Sequence, residues 1–474
     1  MCTYYTPVVK CRQNKMSNLL TITPQFSQDT LPADSPTRLL YVLLEFQAAD
    51  LGNATPLPVN LAMVVDKSDS MCVPILSQEQ FEELANMGNV SETMVDGVPV
   101  WHFENVPKQY ELVAPRSIDF VKRALHSALE QIAPDDHFAL VAFARQAMVV
   151  IPHQPGKNKR ELMRAIETLD TLPLGNDTYM ATGMERGLEE VQRSLSRAFV
   201  NRMIILTDGF TQDTAQCRAL AQQAAQHGIA VSTMGLGVEF NEELLIAMAD
   251  ASGGNAYFIQ DPAEIPNAFR QELNGVEKIA LRNVWLKMRL MSGIEVRRVH
   301  RVKPSISDLG TLTLNDRAFE LALGDVAPHS ARSFLLELLV PPRPAGNFQL
   351  AHLIVEYDVP QWAIERQKVR ENLIITFTND RASAPINPTV MNLAETVSAF
   401  KLQTRALQDA ARGDVAGATH KLQSAATRLI NMGEAELAQQ MLNEVANLEL
   451  RGKMSAEGTK RLRYDTRKLT QKLE

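Results

Sequence analysis

The chain has only four cysteines in 474 residues, Cys2, Cys11, Cys72 and Cys217, and they form no CxxC pair and no even framework. In a chain this long that excludes a disulfide-stapled secreted scaffold and implies reduced thiols in a cytoplasmic compartment. No apolar run approaches the roughly 18 residues that cross a bilayer, so no membrane span is expected. Neither sign of charge is in large excess: 48 Lys and Arg against 55 Asp and Glu give a formal net charge of -7. With no large basic stripe, that argues against nucleic acid as the main partner. The motifs HExxH, GxSxG and GxxxxGK[ST] are missing, and His102, His126, His137 and His153 show no metal-ligand spacing. The sequence therefore carries no signal of an enzyme. Residues 1–15 hold Lys10, Arg12 and Lys15 but no apolar core, so they read as an N-terminal extension rather than a signal peptide, with Met16 as an alternative start.

What is present is an ordinary globular composition, long enough for about three domains of roughly 150 residues. From residue 58 to 274, short β-rich runs alternate with helical stretches. The strand candidates are Leu61–Val65, Phe138–Phe143, Arg202–Leu206, Ile229–Gly235 and Ala256–Ile259. Helices are expected near 116–132, 157–170, 180–196, 212–227, 240–251 and 262–273. Such alternation predicts an α/β domain, a doubly wound, mainly parallel sheet. Over 275–380 the period changes to two, as in Trp285–Met291, and Pro and Gly turns separate further strand-like runs. This predicts an antiparallel β-sandwich. Residues 16–57 also read as strands. We expect them to pair with the later β region, so that the α/β domain is inserted in the sandwich. From 388 to 474 apolar stripes such as Ala418, Leu422, Ala425 and Leu429 stop at glycines, which predicts a C-terminal helical bundle. The Lys/Arg-rich tail after Arg451 reads as a solvated helix face, with an acidic partner as the alternative.

The richest segment is Asp66-Lys67-Ser68-Asp69-Ser70, directly after the apolar run Leu61-Ala62-Met63-Val64-Val65. If the segment stays extended, alternation points Asp66, Ser68 and Ser70 to one side. Ligands of such sheets bind beyond the carboxyl ends of the strands. Two further segments are expected at that edge: Gly175-Asn176-Asp177-Thr178, before a helix, and Leu206-Thr207-Asp208-Gly209, closing a strand. Three hydroxyls and two carboxylates are hard oxygen donors suited to Mg²⁺, with Mn²⁺ or Ca²⁺ as alternatives.

On these residues the stretch 58–273 resembles the von Willebrand factor type A (VWA) family. The likeness extends to Ala133-Pro134-Asp135-Asp136 before Phe138–Phe143, to Val231-Ser232-Thr233-Met234-Gly235-Leu236-Gly237, and to Ala249–Tyr257. The resemblance implies a metal-ion-dependent adhesion site. Ser68, Ser70 and Thr178 would bind Mg²⁺ directly, and Asp66 and Asp208 through water. The sixth ligand would be an acidic side chain of a partner protein. The function implied is a non-enzymatic, cytoplasmic scaffold or adaptor in a multiprotein or signalling complex. Two alternatives stand beside it: a substrate-coupling co-factor of an AAA+ (MoxR- or chelatase-like) ATPase, and, more remotely, a metal-assisted hydrolase.

The chain departs from a plain family member by about 40 extra residues at 72–114. Ser77 and Gln80 form a capping-box pattern for a short helix, and Asp96-Gly97 signals a hairpin turn. The insert is rich in acidic and aromatic residues, including Glu82, Glu83, Phe81 and Trp101. It reads as a lid that shapes the open metal position, or as a decorative subdomain.

Overall fold

A computed structural model describes residues 19–33, 36–50, 57–73, 75, 78–88, 90–95, 98–103, 114–196, 198–276, 279–310, 317–328, 330–380 and 385–472. In chain order the strands are β1 (Leu20–Phe26), β2 (Thr30–Pro32), β3 (Arg38–Ala48), β4 (Val59–Asp66), β5 (Val90–Val95), β6 (Val98–Phe103), β7 (His137–Phe143), β8 (Ala147–Pro155), β9 (Val200–Thr207), β10 (Ala230–Leu236), β11 (Ala256–Ile259), β12 (Leu281–Leu290), β13 (Glu295–Lys303), β14 (Ser307–Asp308), β15 (Ala318–Val326), β16 (Ala331–Val340), β17 (Gly346–Val359) and β18 (Ile364–Thr378). The helices are α1 (Asp69–Cys72), α2 (Gln78–Asn86), α3 (Ser117–Gln131), α4 (Lys159–Ile166), α5 (Met180–Gln192), α6 (Thr214–Gln226), α7 (Glu242–Ser252), α8 (Ile265–Val276), α9 (Pro388–Ala411), α10 (Val415–Asn431), α11 (Ala435–Arg451) and α12 (Ala456–Lys468).

The chain divides into two compact units, residues 57–277 and the two flanking segments taken together. The first is built on a six-stranded sheet in the order β11-β10-β9-β4-β7-β8. β4, β7, β9, β10 and β11 run parallel, as their apolar runs imply. β4, β9 and β10 are buried along their whole length, which is why they carry almost no surface alternation. Helices pack closely on this sheet: a Cβ placed on Gly187 of α5 would stand 2.6 Å from Val64 Cγ2. The one antiparallel member, β8, was not anticipated. It contains Pro152 and lies at the sheet edge, where a missing N–H costs no ladder bond. In the insert, α2 and the hairpin β5–β6 are present, with Val95 opposite Val98. Ser77, Asp96 and Gly97, on which the cap and turn expectations rest, lie outside the described residues.

The second unit carries two five-stranded sheets, β1-β3-β16-β13-β14 and β15-β12-β17-β18-β2. Strands from before the α/β domain pair with strands from after it: β3 runs antiparallel to β16, and β2 parallel to β18. Leu44, Phe46, Leu286, Leu336, Leu353 and Ile375 are among the residues that close the core between the sheets. The opposite face of the first sheet, through Leu43, Val302 and Leu335, is covered by the apolar stripes of the C-terminal helices. Four helices follow one another there. Asn387, Asp414 and Ser455 cap three of them with side-chain oxygens, as residues of their type do. The basic tail is a solvated face only in part: Arg451, Lys453 and Lys468 are exposed, while Lys460 and Arg467 of α12 are buried.

At the amino end of β7, away from the carboxyl edge of the sheet, His137 stacks on His153 with ring centroids 4.7 Å apart and planes 12° apart. His153 donates its backbone N–H to the buried Glu190, 2.7 Å away. Burial first, and then His137, hold the His153 imidazole below its ordinary value. Its folded pKa therefore lies below the unfolded value of about 6.5, and the unfolded chain takes up the proton first. That contribution to stability is present at neutral pH and is lost as pH falls below about 6.5. His153→Phe should keep the ring stack and reduce the loss of stability between pH 7.5 and 5.5, read by urea unfolding. An unchanged pH dependence would refute this role of His153.

Candidate functional site

Two strand ends and one loop at the carboxyl edge of the α/β sheet build the site. β4 and β9 are neighbours in register, with Val65 opposite Leu206, so Asp66 and Thr207 end side by side. Asp66 is wholly buried. Its Oδ2 accepts the Thr207 hydroxyl at 2.6 Å, and its Oδ1 accepts the Ser68 backbone N–H at 2.8 Å. Both carboxylate oxygens are thus engaged, one by the neighbouring strand and one by the turn that follows. Thr207 is the partner that sequence reasoning passed over. Its signal was available, since it sits beside Asp208 at the end of an apolar run.

The chain does not stay extended to Ser70. It turns at Ser68 into the one-turn helix α1, with Ser68 in the cap position. Strand alternation therefore accounts for Asp66 and Ser68 but not for Ser70, which comes to the site through a helical turn. Ser68 Oγ and Ser70 Oγ lie 3.1 Å apart, and the Ser70 hydroxyl donates to Asp208 Oδ1 at 2.6 Å.

The third segment is tied to both neighbours by backbone bonds. Tyr179 N–H donates to the Ala144 carbonyl just past β7, at 2.9 Å, and Gln212 N–H donates to the Thr178 carbonyl at 3.2 Å. Gly209 faces Thr178 so closely that a Cβ there would stand 3.2 Å from Thr178 Oγ1. Asp177 points elsewhere: it is exposed and lies 3.9 Å from Arg145. Asp66, Ser68, Ser70, Thr178 and Asp208 thus belong to one cluster at one sheet edge.

Both carboxyl groups of the cluster are held above their usual range. Burial pushes Asp66 above its usual range, and the hydrogen bonds from Thr207 and Ser68 offset part of that. Burial, and then the Asp66 carboxylate, push Asp208 up to about 8, against a weaker opposing pull from the Ser70 hydroxyl. A carboxyl raised by a neighbouring carboxylate is stabilised in its charged form by a cation placed between or beside the two. The serine hydroxyls stand 3.1 Å apart, between the about 2.9 Å of adjacent ligands around an octahedral Mg²⁺ and the roughly 3.4 Å that Ca²⁺ distances would give. Among the described residues no group of three His, Cys, Asp or Glu could hold a metal, so any cation here would rely on hydroxyls.

Comparison with known proteins agrees with this geometry at the level of the domain. The von Willebrand factor type A domain profile matches residues 112–271, and the Sll0103-like, C-terminal alpha-helical domain profile matches 388–472. The first match contains Thr178 and Asp208 but begins only in the last residues of the 72–114 insert, past Asp66, Ser68 and Ser70. Among curated relatives, the uncharacterized protein sll0103 of Synechocystis is 26% identical over 341 residues, 70% of each chain. The uncharacterized protein YfbK of Escherichia coli is 22% identical over 167 residues, which is 34% of this chain and only 28% of YfbK. A von Willebrand factor type A structure from Catenulispora acidiphila superposes with TM-score 0.71 at 18% identity, covering 95% of this chain and 97% of that one. The ArnB paralog VWA2 from Sulfolobus acidocaldarius gives 0.54 at 15% identity, covering 95% and 98%. VWA domains commonly mediate protein–protein interactions. No helix among the described residues is long and apolar enough to cross a membrane. The chain carries a von Willebrand factor type A domain set within a β-rich region and followed by a Sll0103-like C-terminal helical domain.

Proposed function

We propose that the chain is a non-enzymatic adaptor whose VWA domain grips an acidic side chain of a partner protein through Mg²⁺. The observation that carries this reading is the contact chain Ser68–Ser70–Asp208, which gathers oxygen donors from two segments around the buried Asp66 and around Asp208, whose pKa Asp66 raises. Ser68, Ser70 and Thr178 would offer hydroxyl oxygens, while Asp66 and Asp208 would orient them and balance the charge. The ion, when bound, supplies a positive centre that attracts a carboxylate. The donor set is a poor activator of water, because hydroxyls and only two carboxylates leave the work of a base to some other group. The cytoplasmic placement rests on the scarcity and spacing of cysteine in the sequence. The insert emerges within two residues of Ser70, and on that position in the chain we assign it a part in deciding which carboxylates reach the ion.

The metal half of the reading is testable alone. The EDTA-stripped protein should bind Mg²⁺ in isothermal titration calorimetry, and Asp208→Ala or Ser70→Ala should weaken binding by at least about tenfold. Binding left intact in both variants would remove the site. The partner half needs native lysate. Proteins captured by the wild type in Mg²⁺ should be released by EDTA and should be missing from captures with Ser68→Ala. Capture that ignores both chelation and mutation would overturn the metal bridge.

A further inference from the structure

Asp213 lies five residues past Asp208, in the N-cap position of α6, yet its side chain makes no cap hydrogen bond to that helix. It reaches across to α5, and its Oδ1 also accepts the Cys217 thiol of α6 at 3.4 Å. Asp213 Oδ2 accepts the Ala181 backbone N–H at 2.9 Å, and Oδ1 accepts the Thr211 hydroxyl at 2.5 Å. Thr211 Oγ1, itself buried, accepts the Met180 N–H at 2.9 Å. Met180 and Ala181 are the first two residues of α5, and their N–H groups are among the four that no intrahelical partner satisfies. The carboxylate and the relayed hydroxyl therefore close the start of α5 from outside it. A negative group there is also favoured by the helix dipole. The next carbonyl upstream but one, that of Thr178, takes the Gln212 N–H and lies 3.2 Å from the Thr211 hydroxyl.

We infer that Asp213, acting through Thr211, is a positioning residue for the proposed metal site, holding the Thr178 loop against the Asp208 loop. The inference rests on the reading of the site as a Mg²⁺ site. Its logic is geometric. Thr178 contributes a hydroxyl from a loop that no strand carries, and the Asp213–Thr211 relay fixes where α5 begins. That in turn fixes Thr178 against Gly209, beside Asp208. A carboxylate that capped its own helix would have no such effect on Thr178. Groups that orient the direct ligands of a metal typically change its affinity by 10- to 100-fold when removed.

The test uses the full chain and two readouts: the Mg²⁺ dissociation constant by calorimetry, and the melting temperature in EDTA. Asp213→Ala and Thr211→Val should each weaken Mg²⁺ about tenfold. Because both act through one relay, the double variant should be within about twofold of the weaker single. Thr211→Ser, which keeps the hydroxyl, should stay within about twofold of wild type. Thr211→Val preserves shape and charge and carries the test if Asp213→Ala fails to fold. A lowered melting temperature with an unchanged Mg²⁺ constant would show a purely structural cap and overturn the inference. Fully multiplying losses in the double variant would overturn it too. If the wild type binds no Mg²⁺, the metal reading itself fails and this inference falls with it, which is a different result from wild-type binding that the variants leave untouched.

Discussion

The buried carboxylate of Asp66 is the constraint around which the α/β domain is arranged. A charged group at the end of the central strand, fully withdrawn from water, is costly unless each oxygen finds a donor. Thr207 supplies one from the neighbouring strand, and the backbone turn at Ser68 supplies the other. The first demands that β4 and β9 end in register. The second demands that the chain turn at once rather than run on. Together they bring Ser70 round to Asp208 and set Asp66 close enough to raise the Asp208 carboxyl.

Much of the architecture was legible because burial writes itself into sequence. β4, β9 and β10 are buried on both faces and appear as unbroken apolar runs, and the sandwich strands show period two. What was not legible had a competing signal. Pro152 hid β8, and the arginines of β13 masked its alternation. A one-turn helix after Asp66 cannot be read from four residues, so Ser70 was placed on the right edge for the wrong geometric reason. Lys460 and Arg467 looked like a solvated face because composition says nothing of which stems lie against a neighbouring helix. Thr207, Thr211 and Asp213 act through other residues, and such support leaves no motif in a single sequence.

In the second unit the first sheet serves two layers at once, with the sandwich core on one face and the helices on the other. Charge as well as packing sets the joint between sheet and helices. Glu337 of β16 is buried and pairs with Lys401 of α9 at 2.8 Å. Apolar stripes alone would tolerate a helix shifted by a turn, whereas a buried glutamate with one matching lysine favours a single register.

The way the α/β domain interrupts the sandwich bears on how the polypeptide is made. Glu45 and Ser333, 288 positions apart, lie within 3.4 Å of each other. Joining such distant segments as a loose coil would be slow and would leave β1 and β3 waiting with open edges. The start of β4 and the end of α8 line one small cavity through Val59 and Leu273, so the inserted domain brings its own two ends together. Once it has folded, a gap of more than 200 residues becomes a short bridge between the two parts of the sandwich. During synthesis from the ribosome, the α/β domain would then be the template that lets the flanking β region close.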